Sequence, residues 1–198
     1  MKSIKEKIIT GKAPRSILRS AGLVGAYLNR ADLRGKNLSY ANLTGASLRG
    51  ADLTDACLKG AVLIKADFSR ACLLRADLED AICDAADFSM SYGKSTSFKN
   101  ARMRYCSFRQ AQFKDSYFWG TNLWGSDFRN FFGLGTVFDG ANMEQVRNMH
   151  HALFFWYRRM DEDVGPVYEP REGFEKFGRS TIPGYSYQEN AGMGRVNG

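Results

Sequence analysis

Residues 31–63 read ADLRG KNLSY ANLTG ASLRG ADLTD ACLKG AVL, a five-residue unit centred on Leu33, Leu38, Leu43, Leu48, Leu53, Leu58 and Leu63. Extended both ways, the same frame runs from Leu18 to Met143 through twenty-six centres without a slip. The residue two before each centre is small: sixteen Ala, four Ser, three Thr and one Cys, with Lys36 and Phe131 as the exceptions. A repeat this regular decides the architecture before any other signal does.

A helix turns about 100° per residue, so a period of five would spread the apolar set around the cylinder. A flat strand alternates with period two, so an odd repeat would send successive leucines to opposite faces. What keeps them inside is a short extended piece in which the small residue and the centre both point inward. A bend at the next two residues, where Gly, Ser, Thr, Arg and Lys abound, then redirects the chain. Such bends wind it into a coil with a narrow interior, too narrow for a cavity. No Pro occurs between Pro14 and Pro166, as a backbone hydrogen-bond ladder demands.

The A(N/D)LxG pattern resembles that of the pentapeptide-repeat proteins over about two thirds of the chain. The resemblance implies an all-β solenoid, a right-handed quadrilateral β-helix with four pentapeptides per coil. It further implies about six and a half coils spaced about 4.8 Å apart, a rod about 30 Å long. Residues twenty apart then stack on one side. Gly93 and Gly133 stand where centre side chains are expected, and Phe131 is expected to fill the gap at Gly133. Centres change from mostly Leu before Asp87 to mostly Phe after it, so the later half is expected to be wider.

The segments outside the rod read differently. Residues 1–15 form a basic N-terminal cap, with Ile4, Ile8 and Ile9 on one face of a short helix ended by Gly11. Residues 146–160 fit a C-terminal capping helix through Val146, Met149, His150, Leu153, Phe154, Tyr157 and Met160. Residues 161–198 read as an extended tail anchored by Tyr168, Phe174, Phe177, Ile182, Tyr185 and Tyr187.

Charge divides the chain. Residues 1–20 carry +5, residues 21–145 only +2, and 146–198 balance at seven of each sign. Asp77, Glu79, Asp80, Asp84 and Asp87 form an acidic girdle, followed by a basic girdle of Lys94, Lys99, Arg102, Arg104, Arg109 and Lys114. Adjacent rings of opposite sign pair across coils or else form a docking band for a partner. Cys83 and Cys106 point inward and Cys57 and Cys72 outward, with no disulfide or metal spacing. His150 and His151 are the only histidines and, side by side on a helix, cannot chelate one metal. With no phosphate loop, nucleophile elbow or Cys–His constellation, no catalytic, cofactor or metal site is assigned.

The candidate partner-binding residues are therefore surface ones. Val24, Val62, Ile64, Ile82 and Trp124 fall on one side by the twenty-residue count, and aligned exposed apolar residues mark an interface. Tyr117, Trp119, Phe132, Leu134 and Val137 form a second group, expected to lie under the chain's own C-terminus. Phe154, Phe155 and Trp156 suit a homodimer contact through the C-terminal helix, which the resemblance implies for some relatives; capping alone is the other reading. Tyr168, Phe174, Phe177, Tyr185 and Tyr187 are the tail anchors.

The expected function is a non-enzymatic structural or interaction module, a rod docked into a larger assembly such as a virion shell or a multi-subunit complex. The alternative the resemblance implies is a DNA-mimicking protein that binds type II topoisomerases. A third is nucleic-acid binding through the basic girdle, which the acidic girdle opposes. With no apolar run of eighteen and no signal-peptide core, the expected location is the cytoplasm or a virion, with no membrane.

Overall fold

The computed structural model describes residues 18–149 and, as backbone, the strands Tyr157–Asp161 and Gly165–Glu169. From Gly22 to Arg147 the residue before each centre pairs in parallel with the one twenty positions on: Gly22 with Asn42, Asn42 with Val62, Val62 with Ile82. Twenty residues, four five-residue units, thus make one coil. Each unit contributes three bonds to its neighbours along the axis. At Leu43, for example, Leu43 N–H donates to Val62 O (2.8 Å), Gly45 N–H to Ile64 O (2.8 Å) and Asn42 N–H to Ala21 O (2.9 Å). The backbone polar groups of an otherwise irregular chain are satisfied in this way.

The corners come from a turn inside each unit. The carbonyl of a centre accepts from the N–H three residues on, as in Ala26 N–H to Leu23 O (3.0 Å) and Ala56 N–H to Leu53 O (2.9 Å). The second residue after each centre has positive φ whatever its identity: Arg30 (56°), Asp55 (58°), Arg75 (53°) and Ala85 (57°) match Gly45 (64°). A positive φ at the third turn residue is the type II arrangement, which favours Gly. Alanine there opposes a carbonyl with its Cβ at about 1–2 kcal/mol. Ala85→Gly is expected to raise stability by about 1 kcal/mol, part of the relief being offset by the freer unfolded chain. A urea titration of the two proteins measures it.

The Asn or Asp before many centres has a local task. Asn42 Oδ1 accepts from Thr44 N–H (3.1 Å), Asp52 Oδ1 from Thr54 N–H (3.0 Å) and Asp67 Oδ1 from Ser69 N–H (2.8 Å). These side chains brace the turn that follows them.

The core is a stack of fully buried centres and corner alanines from Leu18 to Phe138. Up to Leu63 the centres are all Leu. Further along, Phe rings stack coil upon coil: Phe68 on Phe88 (4.9 Å between centroids), Phe88 on Phe108 (5.2 Å) and Phe108 on Phe128 (4.8 Å). A second column runs Phe98, Phe118, Phe138 at 4.6 and 5.0 Å. These spacings are the strand-to-strand distance itself.

Where Phe dominates, the small position turns hydroxylic. Thr96, Thr121 and Ser126 donate to the carbonyls of Leu73, Phe98 and Met103 on the coil before (2.7, 2.8 and 2.7 Å). Gly93 and Phe113 lie in the only longer pairings of the rod among the described residues: β1 (Tyr92–Lys94) runs parallel to β2 (Gln112–Lys114). There the corner opens, and Thr96 N–H donates to Ser116 Oγ (3.1 Å). The space a side chain at Gly93 would need is filled by the Phe113 ring and Thr96 Oγ1. Phe131 is fully buried against Phe128 (4.9 Å) and Phe113 (6.2 Å), the place expected of a ring making good the missing centre at Gly133. Cys83 and Cys106 are buried and free, and burial raises both thiol pKa values.

The expected C-terminal helix over 146–160 is corrected at both of its ends. Arg147 still belongs to the coil, its N–H donating to Ser126 O (2.8 Å), and Tyr157–Asp161 is a strand, β3, antiparallel to β4 (Gly165–Glu169). The apolar spacing fits a helix, yet Tyr157 at its end favours a strand, and Val167 and Tyr168 belong to one that β3 can pair with. Pro166 is tolerated because a two-stranded hairpin has only edges. Residues 1–17, with the expected N-terminal cap, and 150–156, with Phe154, Phe155 and Trp156, lie outside the described residues. So do Phe174, Phe177, Ile182, Tyr185 and Tyr187.

Candidate interaction surfaces

Four faces follow from the four units of a coil. The ladder Gly22, Asn42, Val62, Ile82, Arg102, Asn122, Asn142 runs the length of one of them, so Val24, Val62, Ile64, Ile82 and Trp124 do share a side. The side is not continuous, however. Val62 and Ile82 are bridge partners, and with Ile64 they form one half-buried cluster. Val24 is 58% exposed at the start of the face. Trp124 lies beyond a charged cluster and packs edge-on against Tyr105 at 4.8 Å.

That charged cluster centres on Asp84. Its carboxylate accepts from Arg104 Nη2 at 2.6 Å and lies 2.9 Å from Arg102 Nε. Burial alone would raise the Asp84 pKa, but the Arg104 hydrogen bonds and the charge of both arginines outweigh it and hold it below the usual carboxylate range. Glu79 sits between Lys59 (2.8 Å) and Lys99 (3.8 Å), and its Lys59 hydrogen bond lowers its pKa. Asp77 and Asp87 accept from the backbone N–H of Glu79 and Ser89. The two girdles therefore pair across coils at Glu79 and Asp84.

A depressed carboxylate pKa stabilises the fold above the unfolded value of about 4 and loses that contribution as pH falls through the folded value. The urea midpoint is thus expected to fall as pH drops from about 5 to 2, and Asp84→Asn to flatten that dependence. At neutral pH the same variant should lower stability by about 1 kcal/mol, the scale of a partly exposed pair. Urea midpoints at a series of pH values test both.

The second expected group is also assembled. Tyr117 (49% exposed) bridges Val137, and Trp119 (51% exposed) carries Lys99 Nζ over its ring at 4.7 Å. Phe132 and Leu134 sit on the neighbouring face, Phe132 bridging Gln112.

Sequence reasoning missed two features. Tyr40 and Tyr105 occupy positive-φ corners because Gly60 and Gly125, one coil on, leave room for their rings. Arg19 in turn stands 5.6 Å over the Tyr40 ring. The arginines are also sorted by face. Arg34, Arg75, Arg102 and Arg104 pair with Asp32, Asp55 and Asp84. Arg30, Arg49, Arg70, Arg109, Arg129 and Arg147 all lie exposed on one face, outside every ion pair found among the described residues. A twenty-residue count of arginines would have found them.

Among the described residues no group of His, Cys, Asp and Glu is arranged to hold a metal ion, and no helix is long and apolar enough to cross a membrane.

The family model for pentapeptide repeats matches in eight copies, at residues 37–70, 46–82, 71–110 and 94–130. No curated protein matches the chain by sequence. Among solved structures the chain is similar to a trypsin-treated form of QnrB1, a plasmid-mediated fluoroquinolone resistance protein, at 20% identity and TM-score 0.47, covering 68% of this chain and 78% of that one. It is also similar to HetL, a pentapeptide repeat protein involved in heterocyst differentiation regulation from the cyanobacterium Nostoc sp. strain PCC 7120. There the identity is 21% and the TM-score 0.26, over 69% of this chain and 73% of that one. The matched repeats, the unbroken frame on either side of them and the twenty-residue ladder agree, and the chain belongs to the pentapeptide-repeat family, whose repeats form right-handed quadrilateral β-helices.

Proposed function

We propose that this chain is a non-enzymatic protein-interaction module, a rigid rod of about six and a half coils that docks into a larger assembly. The observation that carries the reading is the cluster of Val62, Ile64 and Ile82, half-buried and adjacent on a flat face, with the charges beside it already neutralised around Asp84. An apolar patch bordered by satisfied polar groups suits a protein partner, because neither side strands a charge on docking. Trp124 with Tyr105 extends that surface beyond the charged cluster, and Tyr168, Phe174, Phe177, Tyr185 and Tyr187 serve as anchors along the tail. A virion shell or a multi-subunit complex is the kind of assembly such a rod and tail fit.

The test is cross-linking mass spectrometry on protein from its native source, comparing wild type with Val62→Glu/Ile82→Glu. Loss of the cross-linked partner with an unchanged thermal melt supports the reading. A wild-type protein that is monomeric and cross-links to no protein overturns it.

Two other readings are weaker on charge. A duplex mimic bound by a topoisomerase needs an acidic surface, yet residues 21–145 carry +2. Glu79 and Asp84 are moreover neutralised in place. Inhibition of gyrase supercoiling would restore that reading. Nucleic-acid binding through the basic girdle is opposed by the commitment of Lys99, Arg102 and Arg104 to those same carboxylates.

A further inference from the structure

The face bearing Arg30, Arg49, Arg70, Arg109, Arg129 and Arg147 has six arginines and no lysine, whereas every other face carries lysine: Lys65 on the Val62 face, Lys94 and Lys114 on the Tyr92 face, Lys59 and Lys99 on the Trp119 face. Arginine presents a planar fork that matches an oxyanion with two hydrogen bonds, which lysine cannot do. Five of the six lie along one corner of the rod. Arg30 and Arg70 are two coils apart, Arg49 and Arg109 three, and Arg129 follows one coil later, a ridge about 24 Å long at the strand spacing. Three carboxylates share the face, but they are turned to their own loops. Asp67 and Asp87 accept from Ser69 and Ser89 N–H, and Asp127 from Arg129 N–H and Asn148 Nδ2. Met90 stands on the same corner, half exposed and at a φ of 57°, with exposed Tyr92 beside it.

Alternating carboxylates and exposed apolar side chains suit a polypeptide better than the uniform negative charge of a phosphate backbone. One acidic polypeptide is attached to this face. Residues 161–175 hold six carboxylates (Asp161, Glu162, Asp163, Glu169, Glu172 and Glu175) against Arg171, with Val164, Val167, Tyr168 and Phe174 among them. The described rod ends at Met149, two residues past Arg147 on the arginine face. The twelve residues from there to Asp161 reach about 40 Å when extended, more than the ridge requires. The segment also contains β4 and the end of β3, and an isolated two-stranded hairpin is marginal in water unless it packs on something.

We propose that residues 161–175 dock, within the same molecule, on the arginine face, with their carboxylates on Arg70, Arg109 and Arg129 and with Val164 and Val167 toward Met90 and Tyr92, which leaves Tyr168 and Phe174 to the partner. This docking fixes where the tail leaves the rod and is independent of the partner surface on the Val62 face.

The test is amide hydrogen exchange of Tyr157–Asp161 and Gly165–Glu169 in the full chain. Arg70→Glu/Arg109→Glu/Arg129→Glu is expected to speed exchange of both strands by about tenfold, with the thermal melt of the rod unchanged. Raising salt from about 0.05 to 0.5 M should have the same direction of effect. Replacing Asp161, Glu162, Asp163, Glu169, Glu172 and Glu175 by Lys in the reversed protein should restore protection. The control Lys65→Glu/Lys94→Glu/Lys114→Glu, with the same change in net charge, should leave it intact. Exchange that ignores the arginine reversal, or responds equally to the lysine control, overturns the proposal. So does protection that rises with protein concentration, which would place a second copy on the face. Binding of a 20-base-pair DNA duplex that the arginine reversal abolishes while hairpin exchange stays the same would also overturn it, assigning the face to nucleic acid.

Discussion

Phe108→Ala is expected to destabilise the rod by about 3–5 kcal/mol, the largest loss from any single truncation in its core. The ring stacks between Phe88 (5.2 Å) and Phe128 (4.8 Å) and meets Phe98, Phe113, Phe118 and Phe131 edge-on at 5.5–6.2 Å. It joins both ring columns. Its neighbours are tied to coils whose spacing the backbone ladder sets, so they cannot close over the void. A solenoid conducts such damage along its axis, since each coil is supported only by the next. Denaturant unfolding should therefore show a lower midpoint and, if coils 80–149 loosen first, a broader transition. An equal truncation at Leu43, among flexible leucines near the other end, should cost less, about 2–3 kcal/mol. If the two variants unfold at the same midpoint, the ring stack contributes nothing beyond apolar volume.

Gly93→Leu is expected to destabilise although it restores the residue most frequent at the centre position. A Cβ at Gly93 would run into the Phe113 ring and the Thr96 hydroxyl. Phe113 is fully buried and wedged between Phe98 and Phe131, and Thr96 is held by its bond to Leu73 O, so neither can retreat. Overpacking of this kind costs about 1–3 kcal/mol, and Leu adds more volume than the Cβ alone. Pairing it with Phe113→Leu should recover part of the loss. A double-mutant cycle read by urea unfolding measures that coupling. A stabilised Gly93→Leu would mean that the centre is an unfilled void and not a space already taken.

These two results mark the division between what periodicity conveys and what packing adds. The period of five, the small residue two before each centre and the absence of proline required an inward-facing coil, and the resemblance to pentapeptide-repeat proteins supplied its twenty-residue pitch. The ladder from Gly22 to Arg147 has that pitch. The inward placement of Cys83 and Cys106 followed from counting the five-residue frame, and the alignment of Val62 with Ile82 from the pitch that the resemblance implied. Pairing of the charged girdles was legible as an alternative, because residues twenty apart are neighbours and Glu79 stands twenty from both Lys59 and Lys99.

The end of the expected C-terminal helix was misread for a physical reason. Apolar residues three and four apart describe a helical face equally well when the last two of them, Tyr157 and Met160, belong to a strand, and only a partner distinguishes the two. Tyr157–Asp161 finds that partner in Gly165–Glu169. The continuity of the Val62 face was likewise beyond counting. Whether Asp84 separates Ile82 from Trp124 depends on where two arginine side chains turn.

By itself, then, the sequence determined which residues face inward, because a rigid five-residue period leaves the small residue and the centre no other side, and with the pitch its family resemblance implied it also determined which residues stack. The tertiary structure alone decided how the corners are held. Arg75 and Ala85 accept a positive φ that their side chains disfavour, since each N–H is bonded to the next coil, Arg75 to Lys94 O at 2.9 Å and Ala85 to Arg104 O at 2.8 Å. It also decided which charges remain free. Carboxylate and guanidinium groups are long enough to choose among several partners, and that choice is made by geometry after the coil has formed.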